Sequence, residues 1–339
     1  MFALVILPSM GKSRHMLTSV EMSSIAKDNF HYRSKVIFRL LTTIYFGLTL
    51  ITTVALKYAG MTWFDAATHA MSSCSTCGLS TKNASVAFWD SPLIEGIMMA
   101  AMTLSAIHFG ILYATLTGRK NNIFRSEVVR TYIGMMVVIA LIIAFSLVAE
   151  EVYPSFGEAM RHASFQVVSI TTTSGFATAD TNTWPAIAIV LLVICSVICG
   201  CAGSTSGGMK VDRVLIAAKV VRNRMKIQLH PNAIIRTKVD GIVQEDSTIS
   251  LVMTFIVTYI ILVLIGTVVY TLFGCDILTG FTASIACISN VGPGFGQVGS
   301  MSNFSELPAL LKLMSTMLML IGRLEIFGLI QLLFIRSWR

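Results

Sequence analysis

Long apolar runs separated by basic blocks limit the fold more than any other feature of this chain. Residues 39–58 read RLLTTIYFGLTLITTVALKY. Comparable runs cover residues 92–117, 131–149, 184–200, 249–273 and 307–335. A run of about 20 apolar residues is long enough to cross a bilayer as a helix. The chain is 55% hydrophobic and 12% charged, where soluble domains carry about 25% charge. These properties predict an all-α polytopic membrane protein and exclude an ordinary soluble enzyme.

The net charge of +8 invites a nucleic-acid reading, but its distribution argues against one. Basic residues gather at 12–39, 119–130, 210–238 and at Arg336 and Arg339. The intervening loops carry the acids Asp65, Asp90, Glu95, Glu150, Glu151, Glu158, Asp276 and Glu306. The positive-inside rule puts the basic blocks in the cytoplasm, provided each repeat holds two full spans. No signal peptide is evident. The opening MFALVILP lacks a basic start and a small-residue cleavage site. It reads as the tail of a helix that begins upstream.

Between paired spans lie short segments of about ten residues, too short to cross. WFDAATHAM precedes SSCSTCGLST, SFGEAMRHASFQVV precedes SITTTSGFAT, and ILTGFTASIACI precedes SNVGPGFG. Aligned on Gly78, Gly175 and Gly292, these stretches form an internal repeat of span, short re-entrant helix, polar glycine turn and span. The first two share T-x-G-[L/F]-[S/A]-T. One such Ser/Thr/Gly cluster is commonly just a loop. Three at equivalent positions predict one shared cavity, because non-helical backbone at membrane depth must be buried in protein or line water.

Backbone carbonyls can replace the hydration shell of K⁺ or Na⁺, and glycine permits the dihedrals that turn carbonyls inward. The expected filter residues are Thr76, Cys77, Gly78 and Leu79, then Thr173, Ser174, Gly175 and Phe176, then Asn290, Val291, Gly292 and Pro293. The hydroxyls of Thr76, Thr172, Thr173 and Ser289 either satisfy backbone groups around the filter or add oxygen ligands. Acidic flanking loops favour a cation over an anion. Cys74 and Cys77 form a C-x-x-C, but the sister stretches have no matching thiols, so a redox role is not expected.

GCAGSTSGGMK, residues 200–210, lies one span after the second turn. It is not a phosphate loop, which needs G-x-x-x-x-G-K-[ST] between a strand and a helix. It is either a moving intramembrane loop or a close-packing patch between helices. The last span holds Arg323 and Glu325, two apart and therefore on different faces. Arg323 is expected inside, facing the pathway or the 200–208 break. His69 and His162 are expected by the outer mouth. His108 is either a satisfied polar group or a pathway residue.

In combination and order, AGMTWFDAATHAMSSCSTCGLST, SITTTSGFATADTNTWP, CAGSTSGGMKV, HPNA, SNVGPGFG and IGRLEIF resemble the Trk/Ktr/HKT potassium transporters, most of all the bacterial TrkH-type uptake subunits. The resemblance implies four membrane–pore–membrane units around a central pore, each giving one filter glycine that binds K⁺ through backbone carbonyls. Gly78, Gly175 and Gly292 would be those of the second, third and fourth units. It implies that Gly203, Ser204, Thr205, Ser206, Gly207 and Gly208 form a gating loop, with Arg323 near it. It implies a homodimer in the bacterial inner membrane, in contact with membrane lipid and controlled by a cytoplasmic TrkA- or KtrA-like nucleotide-binding subunit.

The organisation expected is a helix tail and linker at 1–38, pore units at 39–117, 131–220 and 247–339, and cytoplasmic loops at 118–130 and 221–246. No cofactor is expected beyond the transported ion. The first of the four units is not seen in the sequence. Either the true start lies upstream, or another chain supplies the unit, or the product is inactive; a fragment or misplaced start is the favoured expectation. A secondary transporter of another solute built on inverted repeats is the less favoured class, because these units repeat in one orientation.

Overall fold

The computed structural model describes residues 34–118, 122–230, 232–233, 235–324 and 326, with side chains from residue 41 onward. The expected helix tail at 1–8, most of the linker, Glu325 and the end of the last apolar run lie outside the described residues.

Eleven α-helices are present among them. They are α1 (Ser34–Tyr58), α2 (Trp63–Cys74), α3 (Pro92–Ser105), α4 (Phe109–Leu116), α5 (Glu127–Ala149), α6 (Phe156–Thr171), α7 (Ala186–Ile198), α8 (Val211–Leu229), α9 (Asp246–Leu272), α10 (Ile277–Ser289) and α11 (Ala309–Arg323). The one β element is a two-stranded hairpin, β1 (Lys238–Val239) with β2 (Ile242–Val243), paired antiparallel.

The helices fall into three triads. In each, a long helix and a short one pack together and a third closes against them: α1, α2 and α3; α5, α6 and α7; α9, α10 and α11. The triads join through α3 against α6 and α7 against α10. The short helices therefore sit inside and the long ones outside. α1, α5 and α9 are long and apolar enough to cross a membrane. Their outer faces expose Phe46, Leu50, Val137, Leu141, Phe145, Ile261, Leu264 and Val268, as a lipid-facing surface requires. Inside, Tyr132, Ile143 and Leu147 of α5 are fully buried against α6 and α7.

The short helices begin in the same way. Thr62, Ser155 and Asp276 are extended residues whose side chains accept from the backbone N–H of Asp65, Glu158 and Thr279. Each cap satisfies an otherwise orphaned donor. Thr62–Asp65 and Ser155–Glu158 also have the S/T-x-x-acid spacing of a capping box. The Thr81 and Thr62 hydroxyls hold the Asp65 carboxyl below its usual range, and Thr279 does the same for Asp276.

Two expected spans differ from a single straight helix. The 92–117 run is broken between α3 and α4, which meet at 103°. In the last run α11 ends at Arg323, and Ile326 has a left-handed φ of +51°. Together with the 199–210 break after α7, every triad's third helix is interrupted after 13 to 15 residues. The 92–117 run is apolar enough overall to read as one span, and only Ser105 and His108 mark the first bend in the sequence. The region after residue 210 is also more ordered than a loop. α8 continues to Leu229, and the hairpin docks on α5, where Asp240 accepts from Ser126 Oγ at 2.9 Å and from the Glu127 backbone N–H.

Candidate ion pathway

The three short helices end in the same backbone motif. Thr76, Thr173 and Asn290 are left-handed, with φ of +52°, +58° and +56°. Their N–H groups donate to Ser73, Ile170 and Cys287 carbonyls at 3.3, 3.0 and 3.2 Å. The next N–H, of Cys77, Ser174 and Val291, donates to the Ser72, Ser169 and Ala286 carbonyls at 2.9, 2.9 and 3.0 Å. This is a Schellman cap, three times over. The following residue is in each case the expected glycine, again left-handed: Gly78 at +74°, Gly175 at +77° and Gly292 at +101°. Alternation between left-handed and ordinary dihedrals lets successive carbonyls of a short stretch face one side.

The turns also touch in order. A Cβ on Gly78 would collide with the Ser174 carbonyl, and one on Gly175 with the Val291 carbonyl and, at 3.0 Å, with Pro293 Cδ. Gly78 and Gly175 thus each press on the carbonyl just before the next turn's glycine. A Cβ on Gly292 would meet no described atom within 4 Å. Thr173, Ser174, Phe176 and Val291 are buried, while Cys77, Leu79 and Gly292 are exposed. The C-terminal ends of α2, α6 and α10 point at the turns, so partial negative charge of the helix dipoles gathers there.

Behind the turns, side chains fix the geometry. Ser169 Oγ donates to the Phe176 carbonyl at 2.6 Å. His69 is buried and joins α2 to the segment leaving the first turn, with Nδ1 2.8 Å from the Asp65 carbonyl and Nε2 3.0 Å from Ser80 Oγ. Its ring stacks on Phe176 of the second turn. His162 lies 3.2 Å from Thr178 Oγ1. Glu95, buried on α3, receives both arms of Arg161 from α6 at 2.7 Å, and Asp90 receives a third bond. Cys74 and Cys77 are free thiols.

The glycine-rich break after α7 packs against the helix side of all three turns. Thr76 Oγ1 donates to the Thr205 carbonyl at 3.0 Å, and the Gly207 N–H donates to Thr173 Oγ1 at 3.0 Å. A Cβ on Gly207 would strike the Ser289 carbonyl, and one on Gly203 the His108 ring. Ser204 and Ser206 hydroxyls pair at 2.8 Å. Arg323 Nη1 donates to the same Thr205 carbonyl at 3.1 Å. Arg323 is thus in contact with the break, although its own side chain is exposed.

The bend between α3 and α4 supplies the loop's other partners. The Ser105 carbonyl accepts from the Thr205 N–H and Oγ1, the Ala106 carbonyl accepts from Cys201 N–H, and Phe109 N–H donates to the Gly203 carbonyl. Backbone groups freed by the bend are thus used by the loop, as membrane depth demands. His108 caps α4, its Nδ1 accepting from Gly110 N–H at 2.9 Å. It is a satisfied polar group at the bend. Ser105–Phe109 is the part of the site that sequence reasoning missed; the polar Ser105 and His108 inside an apolar run were its signal.

The TrkH family, described as cation transport protein, matches residues 1–337 of this chain. The chain belongs to that family. It is similar to the Trk system potassium uptake protein TrkH of Salmonella typhimurium, at 34% identity over 99% of this chain and 70% of that protein. A protein of the same name from Halomonas elongata is 33% identical over the same shares. Among solved structures, the potassium transporter TrkH from Vibrio parahaemolyticus superposes with a TM-score of 0.84 at 33% identity, covering 92% of this chain and 67% of that one. TrkH-family membership makes this a transport protein rather than an enzyme, and the apolar helices make it a membrane protein.

Proposed function

We propose that the three left-handed glycine turns are walls of a potassium filter and that the protein takes up K⁺ across the bacterial inner membrane as the translocating subunit of a Trk-type system. The observation that carries this reading is the repeated pairing of Thr76 with Gly78, Thr173 with Gly175 and Asn290 with Gly292 in left-handed backbone. The named relatives are potassium uptake proteins. A ring of carbonyls binds a dehydrated cation without changing its own charge, which allows release as well as capture. The loop of Gly203–Gly208, held under the turns and by Arg323, acts as the gate. A cytoplasmic TrkA- or KtrA-like subunit works on α8 and the hairpin, and the protein functions as a homodimer.

The order of contact supports a fourth wall beside Gly292, because that is where the pattern of glycine against carbonyl has no described neighbour. We infer that a further unit, upstream in the chain or on another chain, fills that side. The same observation favours a second reading, a transport-inactive fragment. Potassium-limited growth of an uptake-deficient host separates them. Growth restored only when in-frame upstream coding sequence is included supports the four-wall filter. Growth restored by the 339-residue chain alone refutes the need for a further unit. No growth with either form, the regulator being present, counts against potassium uptake itself.

A further inference from the structure

The left-handed position that closes a Schellman cap is normally filled by glycine or asparagine. Asn290 fits that preference. Thr76 and Thr173 do not, since a β-branched residue at positive φ is an outlier that costs stability. The difference matches what the side chains do. Asn290 turns its amide to the Ile288 and Met319 carbonyls, away from the loop. Thr173 Oγ1 accepts from the Gly207 N–H, and Thr76 Oγ1 shares its one proton between the Thr205 carbonyl at 3.0 Å and the Ser75 carbonyl of its own turn at 2.7 Å.

We propose that Thr76 and Thr173 are positioning residues that latch the 203–208 loop shut against the filter, their hydroxyls serving the loop and not the ion. The proposal rests on the reading of this loop as the gate. The two latches act on opposite kinds of group. Thr76 donates to a carbonyl and Thr173 accepts from an amide, so they fix the loop at two points two residues apart. Thr205 is the busier point, because its carbonyl also takes Arg323. Its N–H and hydroxyl are held by the Ser105 carbonyl at the α3–α4 bend. Opening the loop breaks the latches and removes the support under two filter caps at once, so gate and filter share the same bonds.

The test is passive ⁸⁶Rb⁺ uptake into K⁺-loaded liposomes holding the full-length protein without its regulatory subunit. Thr173→Val keeps shape and strain but loses the hydroxyl. Thr173→Gly relieves the strain as well, which keeps a well-folded variant in hand. Each is expected to raise ⁸⁶Rb⁺ flux about fivefold, the population change that losing one ordinary hydrogen bond gives. Thr173→Ser keeps the hydroxyl and is expected to restore wild-type flux. Thr76→Val shifts flux in the same direction by a smaller factor, because the Thr76 hydroxyl proton is shared with the Ser75 carbonyl.

Unchanged flux in the valine and glycine variants would overturn the latch. So would a fall in flux, or entry of Na⁺ alongside Rb⁺, because either outcome assigns the hydroxyls to the filter itself. A wild-type protein that passes no ⁸⁶Rb⁺ contradicts the potassium reading instead. The latch is still read in that case by amide hydrogen exchange, where Thr173→Val speeds exchange at Gly207; an unchanged rate there sinks the proposal.

Discussion

At Gly175 the backbone is left-handed and the Val291 carbonyl occupies the place of a side chain. Any L-residue there carries a left-handed penalty of roughly 1–2 kcal/mol and must also displace a neighbouring turn. Gly175→Ala is therefore expected to cut K⁺ flux at least about tenfold, since a shift of about 1.4 kcal/mol is already a factor of ten. Gly134→Ala is the control. It lies within α5 at ordinary φ with open space around it, and flux should stay at wild type. Gly175 and Gly78 were legible in the sequence because the T-x-G pattern recurs. The left-handed threonines before them were not, because threonine has no preference for that conformation. Arg323 was legible as a charge inside an apolar run. Replacing it by glutamine frees one donor from the Thr205 carbonyl, and K⁺ flux without the regulator should rise.

The helices that carry these residues are held by few but specific bonds. Arg161 and Glu95 join α6 to α3 through two bonds of 2.7 Å. Glu95 is 1% exposed, so Arg161→Ala leaves a buried carboxylate without its partner. Such a loss costs about 3 kcal/mol or more, and thermal unfolding in detergent should show a clearly lowered midpoint. A midpoint equal to wild type would mean that the clamp contributes nothing. At the start of α5, Asp240 caps the helix from the hairpin. Asp240→Ala should cost about 1 kcal/mol and loosen the hairpin, read as faster amide exchange at residues 237–244. Neither contact was visible beforehand. Arg161 and Glu95 are 66 residues apart, and a hairpin with two residues per strand leaves no alternating pattern to find. The long helices, by contrast, were legible to within a few residues because length and apolarity decide them. The bend at Ser105–Phe109 escaped notice because its broken hydrogen bonds are satisfied by a loop about 100 residues away.

Seen whole, the chain places three equivalent turns side by side and one glycine-rich loop against all of them. The repeat was legible as sequence because each unit reuses the same order of span, short helix and glycine. How the units meet was not, since it depends on glycine-to-carbonyl contacts between distant residues such as Gly78 with Ser174 and Gly175 with Val291. In the filter proposed above, cation selectivity is a property of backbone shape and not of any charged side chain. The most direct measurement is competitive flux of K⁺ and Na⁺ through the full-length protein in liposomes, wild type against Gly175→Ala. The filter account predicts strong K⁺ preference in wild type and loss of that preference, of flux, or of both in the variant. Equal K⁺/Na⁺ discrimination and equal flux in the two proteins would contradict it.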